Sequence, residues 1–200
     1  MTDGQQQYAT GQTPWDRGEP APALVQYLAT FPAAGRILVP GCGTGQDVKA
    51  WALAGAEQVT GLDVAPLAVG RAQESLAGIS KAEVVLGDLF TDCYQAPLAG
   101  SFDMVWEHTC YCAIPPERRA DYVQAIAAAL KPGGQLLGVF FLTPWDEGAD
   151  QAQGPPFGTG LEELRGMLAA RFELERGWRP EVAYPGREGR EWCGLFVRKE

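Results

Sequence analysis

The chain has one histidine, five cysteines without a Cys-x-x-Cys pair, and more acid than base. Each shortage removes a class of function. A formal net charge of −9 leaves no basic face to displace counterions from a polyanion, so no nucleic-acid partner is expected. No apolar stretch approaches the ~18 residues of a membrane span. The opening MTDGQQQYATGQ carries neither the basic start nor the apolar run of a signal peptide. A membrane partner is therefore not expected, and a cytoplasmic location is. An odd number of irregularly spaced cysteines argues against a disulfide framework. His108, Cys110 and Cys112 crowd together without a fourth ligand, so no metal is expected either. The P-loop string GxxxxGK[ST] does not occur.

What is present reads as one soluble globular domain over residues 1–200: 46% of the chain is apolar and 20% charged. RILVP, QVTGLD, AEVVLGD, FDMVWE and QLLGVFFL are short apolar runs of strand type. Helical segments separate the first three, and PERRADYVQAIAAAL, closed by Lys131, Pro132 and Gly133, precedes the fifth. A Gly/Pro-rich loop (148–160), the helix LEELRGMLAARF and two final strands, FELERGW and EWCGLFVRK, complete the chain. Such alternation argues an α/β fold with a parallel sheet and helices on both faces, and the final strand pair should be antiparallel at one edge. Residues 1–14, taken alone, read as a polar tail. No apolar stripe is left over once the core is assigned, so a monomer is the default.

Chemistry first shows in VPGCGTGQD. Gly41, Gly43 and Gly45 stand between a strand and a helix, where missing Cβ atoms let a ligand lie on the backbone. Asp63 closes the next strand, where a carboxylate can accept both hydroxyls of a ribose. The spacing is GxGxG, not the GxGxxG of a dinucleotide site, which disfavours a nicotinamide oxidoreductase. S-adenosylmethionine (SAM) fits better, because it has no pyrophosphate to seat and needs an acid for its ribose. Asp88, closing the third strand, is placed to accept from an adenine amino group, and Leu89 to pack on the ring. A plain tight turn with a surface aspartate is the alternative; a second acid at the matching strand end weighs against it.

TPWDRGEPAP (13–22), VPGCGTGQDV (39–48), GLDVAPLAV (61–69), GDLF (87–90), CAIPPERR (112–119), LKPGGQL (130–136) and GPPF (154–157) carry a resemblance. The chain resembles SAM-dependent methyltransferases of the thiopurine S-methyltransferase family, the halide/thiol branch most of all. The resemblance implies a Rossmann-like class I fold: a seven-stranded, mostly parallel sheet with an antiparallel edge strand. It divides the chain into a cofactor lid and helix (1–31), a cofactor-binding core (36–141), and an acceptor loop with the C-terminal strand pair (142–200). Tyr8, Trp15, Gly41, Gly43, Asp63, Val64, Asp88, Leu89 and His108 are then cofactor contacts. Gly4 falls where many members have a further tryptophan, so the lid has one aromatic fewer.

The stretch MVWEHTCYCAIP (104–115) leaves the carboxyl end of the fourth strand. A Cys-His nucleophile pair is disfavoured there, since no acid is evident to orient His108. A pocket wall is the preferred reading over a buried cysteine and a satisfied histidine. His108 occupies a family position, often tyrosine, near the methionine end of the cofactor. His108 and Tyr111 are the expected catalytic residues. Trp15, Tyr111, Phe157 and Arg187 are expected to bind the acceptor, with Arg187 or Arg190 drawing an anion and a solvated hairpin as the alternative. Glu107 would favour the cationic donor. The implied function is methyl transfer to a small-molecule acceptor, a thiol, sulfide or halide. Such soft nucleophiles need mainly alignment and a dry pocket. The alternatives are a larger aromatic or heterocyclic thiol, a chalcogen oxyanion, or a SAM-binding regulator without turnover.

Overall fold

The computed structural model describes residues 4–146 and 154–200. The reading of the first three residues, and of the loop over 148–153, lies outside the described residues. Seven strands form one sheet in the order β3-β2-β1-β4-β5-β7-β6. They are β1 (Arg36–Pro40), β2 (Gln58–Asp63), β3 (Ala82–Leu86), β4 (Phe102–His108), β5 (Leu130–Phe141), β6 (Phe172–Trp178) and β7 (Glu191–Arg198). β1 pairs in parallel with both β2 and β4, so the strand order reverses at β1, where open α/β sheets leave a crevice for ligands. The antiparallel pair stands at the sheet edge as expected. Within it, β7 runs against both β5 and β6, and β6 is the outermost strand.

Helices α1 (Gly4–Thr10), α2 (Pro22–Thr30), α3 (Gln46–Leu53), α4 (Pro66–Ser75), α5 (Leu89–Asp92), α6 (Arg119–Ala129) and α7 (Leu161–Leu168) surround the sheet. The polar N-terminal stretch is thus a helix over Gly4–Thr10, held by tertiary contacts rather than by an apolar stripe of its own. The long helix expected from Pro116 opens as a 3-10 turn, Pro116–Arg118, before α6 begins. Among the described residues no helix is long and apolar enough to cross a membrane.

Strand alternation divides the core into two layers. Leu38 and Val105 face α6 and α7, with Ile126 and Leu164. Ile37, Val39 and Trp106 face α2 and α3, with Leu24 and Trp51. The crevice opens where these layers meet the carboxyl ends of β1 and β4. Gly61 on β2 sets how closely the loop after β1 can settle: a Cβ there would lie 2.8 Å from Cys42 Sγ and 3.0 Å from Val48 Cγ2. Gly61→Ala should therefore cost about 1–3 kcal/mol through overpacking. A lower denaturation midpoint is the expected readout; an unchanged midpoint would show that the loop can yield.

Candidate functional site

The loop between β1 and α3 adopts the backbone its glycines permit. Gly41, Gly43 and Gly45 have φ of 60°, 54° and 83°, the left-handed region that other residues rarely enter. A Cβ at Gly41 would press within 3.1 Å of Cys110 Sγ, and one at Gly43 within 2.9 Å of the Tyr8 hydroxyl. The turn is a cradle that side chains would fill. Asp63, at the end of β2, braces it: Oδ2 accepts from Gly43 N at 2.9 Å and Oδ1 from Ala65 N at 2.9 Å. Burial pushes the Asp63 carboxyl up, and those N–H groups oppose the shift.

Beside Asp63 stand two apolar side chains in the open. Val64 is 62% exposed and Leu86, the register partner of Asp63, is 53% exposed. Asp88 is exposed too, with its side chain accepting from Phe90 N at 2.9 Å. An acid, a glycine cradle and an apolar slot at adjacent strand ends fit an adenosine. Leu89 differs from its neighbours: it packs in the core with Leu62 and Cys93.

The N-terminal segment closes over this cradle. α1 docks on α4, where Leu67 N donates to Gln5 Oε1 and Arg71 Nη2 to the Tyr8 carbonyl. Tyr8 and Trp15 meet edge to face with ring centres 6.0 Å apart, and Trp15 Nε1 donates to the Tyr8 hydroxyl at 3.1 Å. Burial raises the Tyr8 hydroxyl to about 12, so it stays protonated. Thr44 Oγ1, within the glycine turn, donates to Asp16 Oδ2 at 2.9 Å. TPWD thus binds the lid to the turn it covers.

β4 sends consecutive side chains to opposite faces. Glu107 goes to the α6 side, fully buried, where it accepts from the Cys110 and Tyr111 N–H groups and from the Tyr122 hydroxyl. Burial pushes its carboxyl up. Its partners are structural, which corrects the expectation that it favours the donor cation. Thr109, at φ 60°, turns the chain so that these two N–H groups point back to Glu107. For a β-branched residue that conformation costs about 1–3 kcal/mol.

Trp106 and His108 go to the α3 side. Asp47, in the first turn of α3, accepts there from Ala21 N at 2.8 Å and Trp106 Nε1 at 2.8 Å, with His108 Nδ1 at 2.9 Å. Burial alone would push the Asp47 carboxyl up, but the charge and hydrogen bond of His108, then Trp106 and Ala21, hold it below its ordinary value. The expectation that His108 lacks an orienting acid is therefore corrected. Asp47 is distant in sequence and supplies that contact.

The segments CAIPPERR and GPPF are bound to one another. Arg119, of CAIPPERR, is 1% exposed and donates to the Phe157 and Gly158 carbonyls, while Phe157 N donates to the Cys112 carbonyl at 2.6 Å. Its guanidinium lies 4.7 Å from the Tyr111 ring centre. Tyr111 is buried against Tyr122 and Phe140, and burial raises its hydroxyl to about 12. Arg187 is buried, paired with Glu191 and stacked on Phe141 and Tyr184. Arg190 points outward to Asp146.

A cavity of about 60 Å³ lies under the lid, and Tyr8, Trp15, Gly41, Gly43 and His108 line it together. Asp63 braces Gly43 of the same cradle without lining the cavity, and Val64, Tyr111, Phe157 and Arg187 are not in its lining. Asp47, Thr109 and Tyr184 also line it and were not anticipated. Only Asp47 had a signal: an acid in the first turn after a glycine loop.

Because Asp47 is held low in the folded protein, its contribution to stability is present above the ordinary carboxylate range and is lost as pH falls through its folded value. Asp47→Asn should be destabilised near neutrality, and its deficit should shrink as pH falls below the ordinary carboxylate range of about 4. Denaturation midpoints of both proteins from neutrality down through that range test this; a constant deficit would contradict it.

Among known proteins, the thiopurine S-methyltransferase family model matches residues 2–194. A probable thiol methyltransferase 2 of Arabidopsis thaliana is 34% identical over 193 residues, covering 96% of this chain and 82% of that protein. Thiocyanate methyltransferase 1 of the same plant is 33% identical, with 93% and 80% covered. A solved structure described as "Conversion of a Disulfide Bond into a Thioacetal Group during Echinomycin Biosynthesis" superposes with a TM-score of 0.73 at 25% identity, covering 93% of this chain and 85% of that one. A family match over nearly the whole length, on a sheet ordered around the same crevice, settles descent: the chain belongs to the thiopurine S-methyltransferase family.

Proposed function

We propose that this protein is a SAM-dependent methyltransferase acting on a small soft nucleophile: a thiol, sulfide or halide. The observation that carries the reading is the Tyr8–Trp15 lid closed over a glycine cradle whose Gly43 N–H fixes Asp63. The two plant relatives, named for thiol and thiocyanate methylation, support the acceptor class.

When bound, SAM supplies a methyl group on a sulfonium. The residues here hold and screen it. Asp63 would hold the ribose hydroxyls, Val64 and Leu86 would offer apolar surface to the adenine, and Asp88 would accept from its amino group. Gly41 and Gly43 let the methionine end lie on the backbone, beside His108. Leu89 supports the adenine slot from below, as part of the core. A cavity of about 60 Å³ is far smaller than SAM, so in this reading the lid lifts for entry and closes afterwards. Closure excludes water and aligns the acceptor with the methyl group, which is most of what a soft anion requires. Tyr111, Phe157 and Arg187 form the wall behind the acceptor. In this reading their part is to shape the pocket.

Purified protein with SAM and, separately, iodide, hydrosulfide and methanethiol should release S-adenosylhomocysteine and the volatile methylated product above a no-enzyme control with at least one of the three acceptors. Trp15→Ala should weaken S-adenosylhomocysteine binding about tenfold, the worth of one aromatic contact. Absence of both binding and product would overturn the proposal. Binding without product from any acceptor would leave a sensor.

A further inference from the structure

We infer that Asp47 and His108 form a base dyad that takes the proton from a neutral thiol acceptor, which makes the protein's substrate a protonated thiol or hydrogen sulfide rather than a halide. The inference deepens the proposed function and rests on it. A halide arrives as an anion and needs no base. A thiol near neutral pH is mostly protonated, and the thiolate is the nucleophile. A device for removing that proton would be idle in a halide enzyme.

The geometry supplies the device. Asp47 is an ionised acceptor, held so by its donors, and His108 Nδ1 lies 2.9 Å from Oδ2. A carboxylate cannot donate, so Nδ1 must carry the hydrogen. In the neutral ring this is the Nδ1–H tautomer, whose Nε2 keeps its lone pair free. No hydrogen bond to Nε2 occurs among the described residues, and the ring lines the cavity beneath the lid. The arrangement has the logic of an acid–base–nucleophile array in which the nucleophile is the substrate.

Other groups face the imidazole from each element packed on it. Asp47 contacts the ring from α3 and Trp106 shares its face of β4, while Glu107, on the far face of β4, and Glu191, on β7, act on it through charge. Tyr184, from the loop before β7, stacks at 5.9 Å and carries Arg187 on its other contacts. Burial pushes the Glu107 and Glu191 carboxyls up, so Asp47 is the anion in direct contact that stabilises an imidazolium as it forms.

The step balances. The S–H bond breaks and its proton passes to Nε2, leaving the electron pair on sulfur. That pair forms the new C–S bond to the methyl carbon as the methyl–sulfonium bond breaks, its electrons staying on the departing thioether. His108 then returns the proton to water. The products are a methyl thioether from a thiol, or methanethiol from hydrogen sulfide, with S-adenosylhomocysteine and one proton.

His108 is the only histidine of the chain, so its ring nitrogens can be observed without assignment. Nitrogen-15 NMR of the wild-type protein should show the neutral ring protonated at Nδ1, and Asp47→Asn should lose that preference. A wild-type ring protonated at Nε2 would overturn the inference whatever the kinetics. In turnover, His108→Gln should lower kcat/KM for methanethiol about a hundredfold near neutrality. The deficit should shrink as pH rises, and for an acidic aryl thiol that is already ionised. Equal deficits for both thiols at every pH would make His108 a wall residue, leaving the methyltransferase reading intact. A wild-type protein that methylates iodide but neither thiol overturns the dyad's role and leaves the methyltransferase reading intact; one that neither binds SAM nor methylates any acceptor overturns both. Thermal unfolding reports whether each variant is folded, and the wild-type NMR result decides where a variant is not.

Discussion

The Asp47 carboxylate joins three separate pieces of chain. It accepts from the Ala21 N–H just ahead of α2, from Trp106 on β4, and contacts His108 where that strand ends. Its own position, the first turn of α3, follows the glycine loop and favours an anion through the helix dipole. The carboxylate is deeply placed, and an unpaired charge there would be costly, so the three contacts depend on one another. Without it the lid's connection to α2, the aromatic floor of the crevice and the edge of the imidazole would have no common anchor.

A second constraint is the two-residue period of β4. Glu107 and His108 are neighbours in sequence and serve opposite faces of the sheet. Glu107 binds the turn after β4 to α6 through Tyr122, Cys110 and Tyr111. His108 faces α3 and the cavity. The turn after β4 is secured to the Pro/Gly loop again by Arg119, whose guanidinium holds the Phe157 and Gly158 carbonyls. The pocket wall is therefore tied to rigid elements on both sides of the sheet, while the lid rests mainly on α4 and the glycine turn. Closure is suited to the part with fewer ties, and alignment to the part with more.

The fold was legible because its signals are local: short apolar runs, glycine turns and helix starts each announce themselves within a few residues. RILVP and QVTGLD became strands, and Gly41, Gly43 and Asp63 came together because the turn chemistry allows one arrangement. Tyr8 and Trp15 were reached through the family resemblance; composition alone made that stretch a tail, since its order comes from α4 rather than from its own pattern. Asp47 and Tyr184 were missed because pairing with His108 is a property of tertiary contact across three elements. Alternation could have placed Glu107 away from the donor, as Trp106 and His108 share a face that Glu107 cannot. Arg187 shows the converse. An arginine in a polar turn reads as solvated, yet Glu191, Phe141 and Tyr184 bury it.

A crystal structure with S-adenosylhomocysteine bound tests the central claim most directly. The account predicts ribose hydroxyls on Asp63, adenine between Val64 and Leu86, and the thioether sulfur on the cavity side of Gly41, facing His108 under a closed Tyr8–Trp15 lid. A ligand seated elsewhere, or one that leaves Asp63 unengaged, would contradict it.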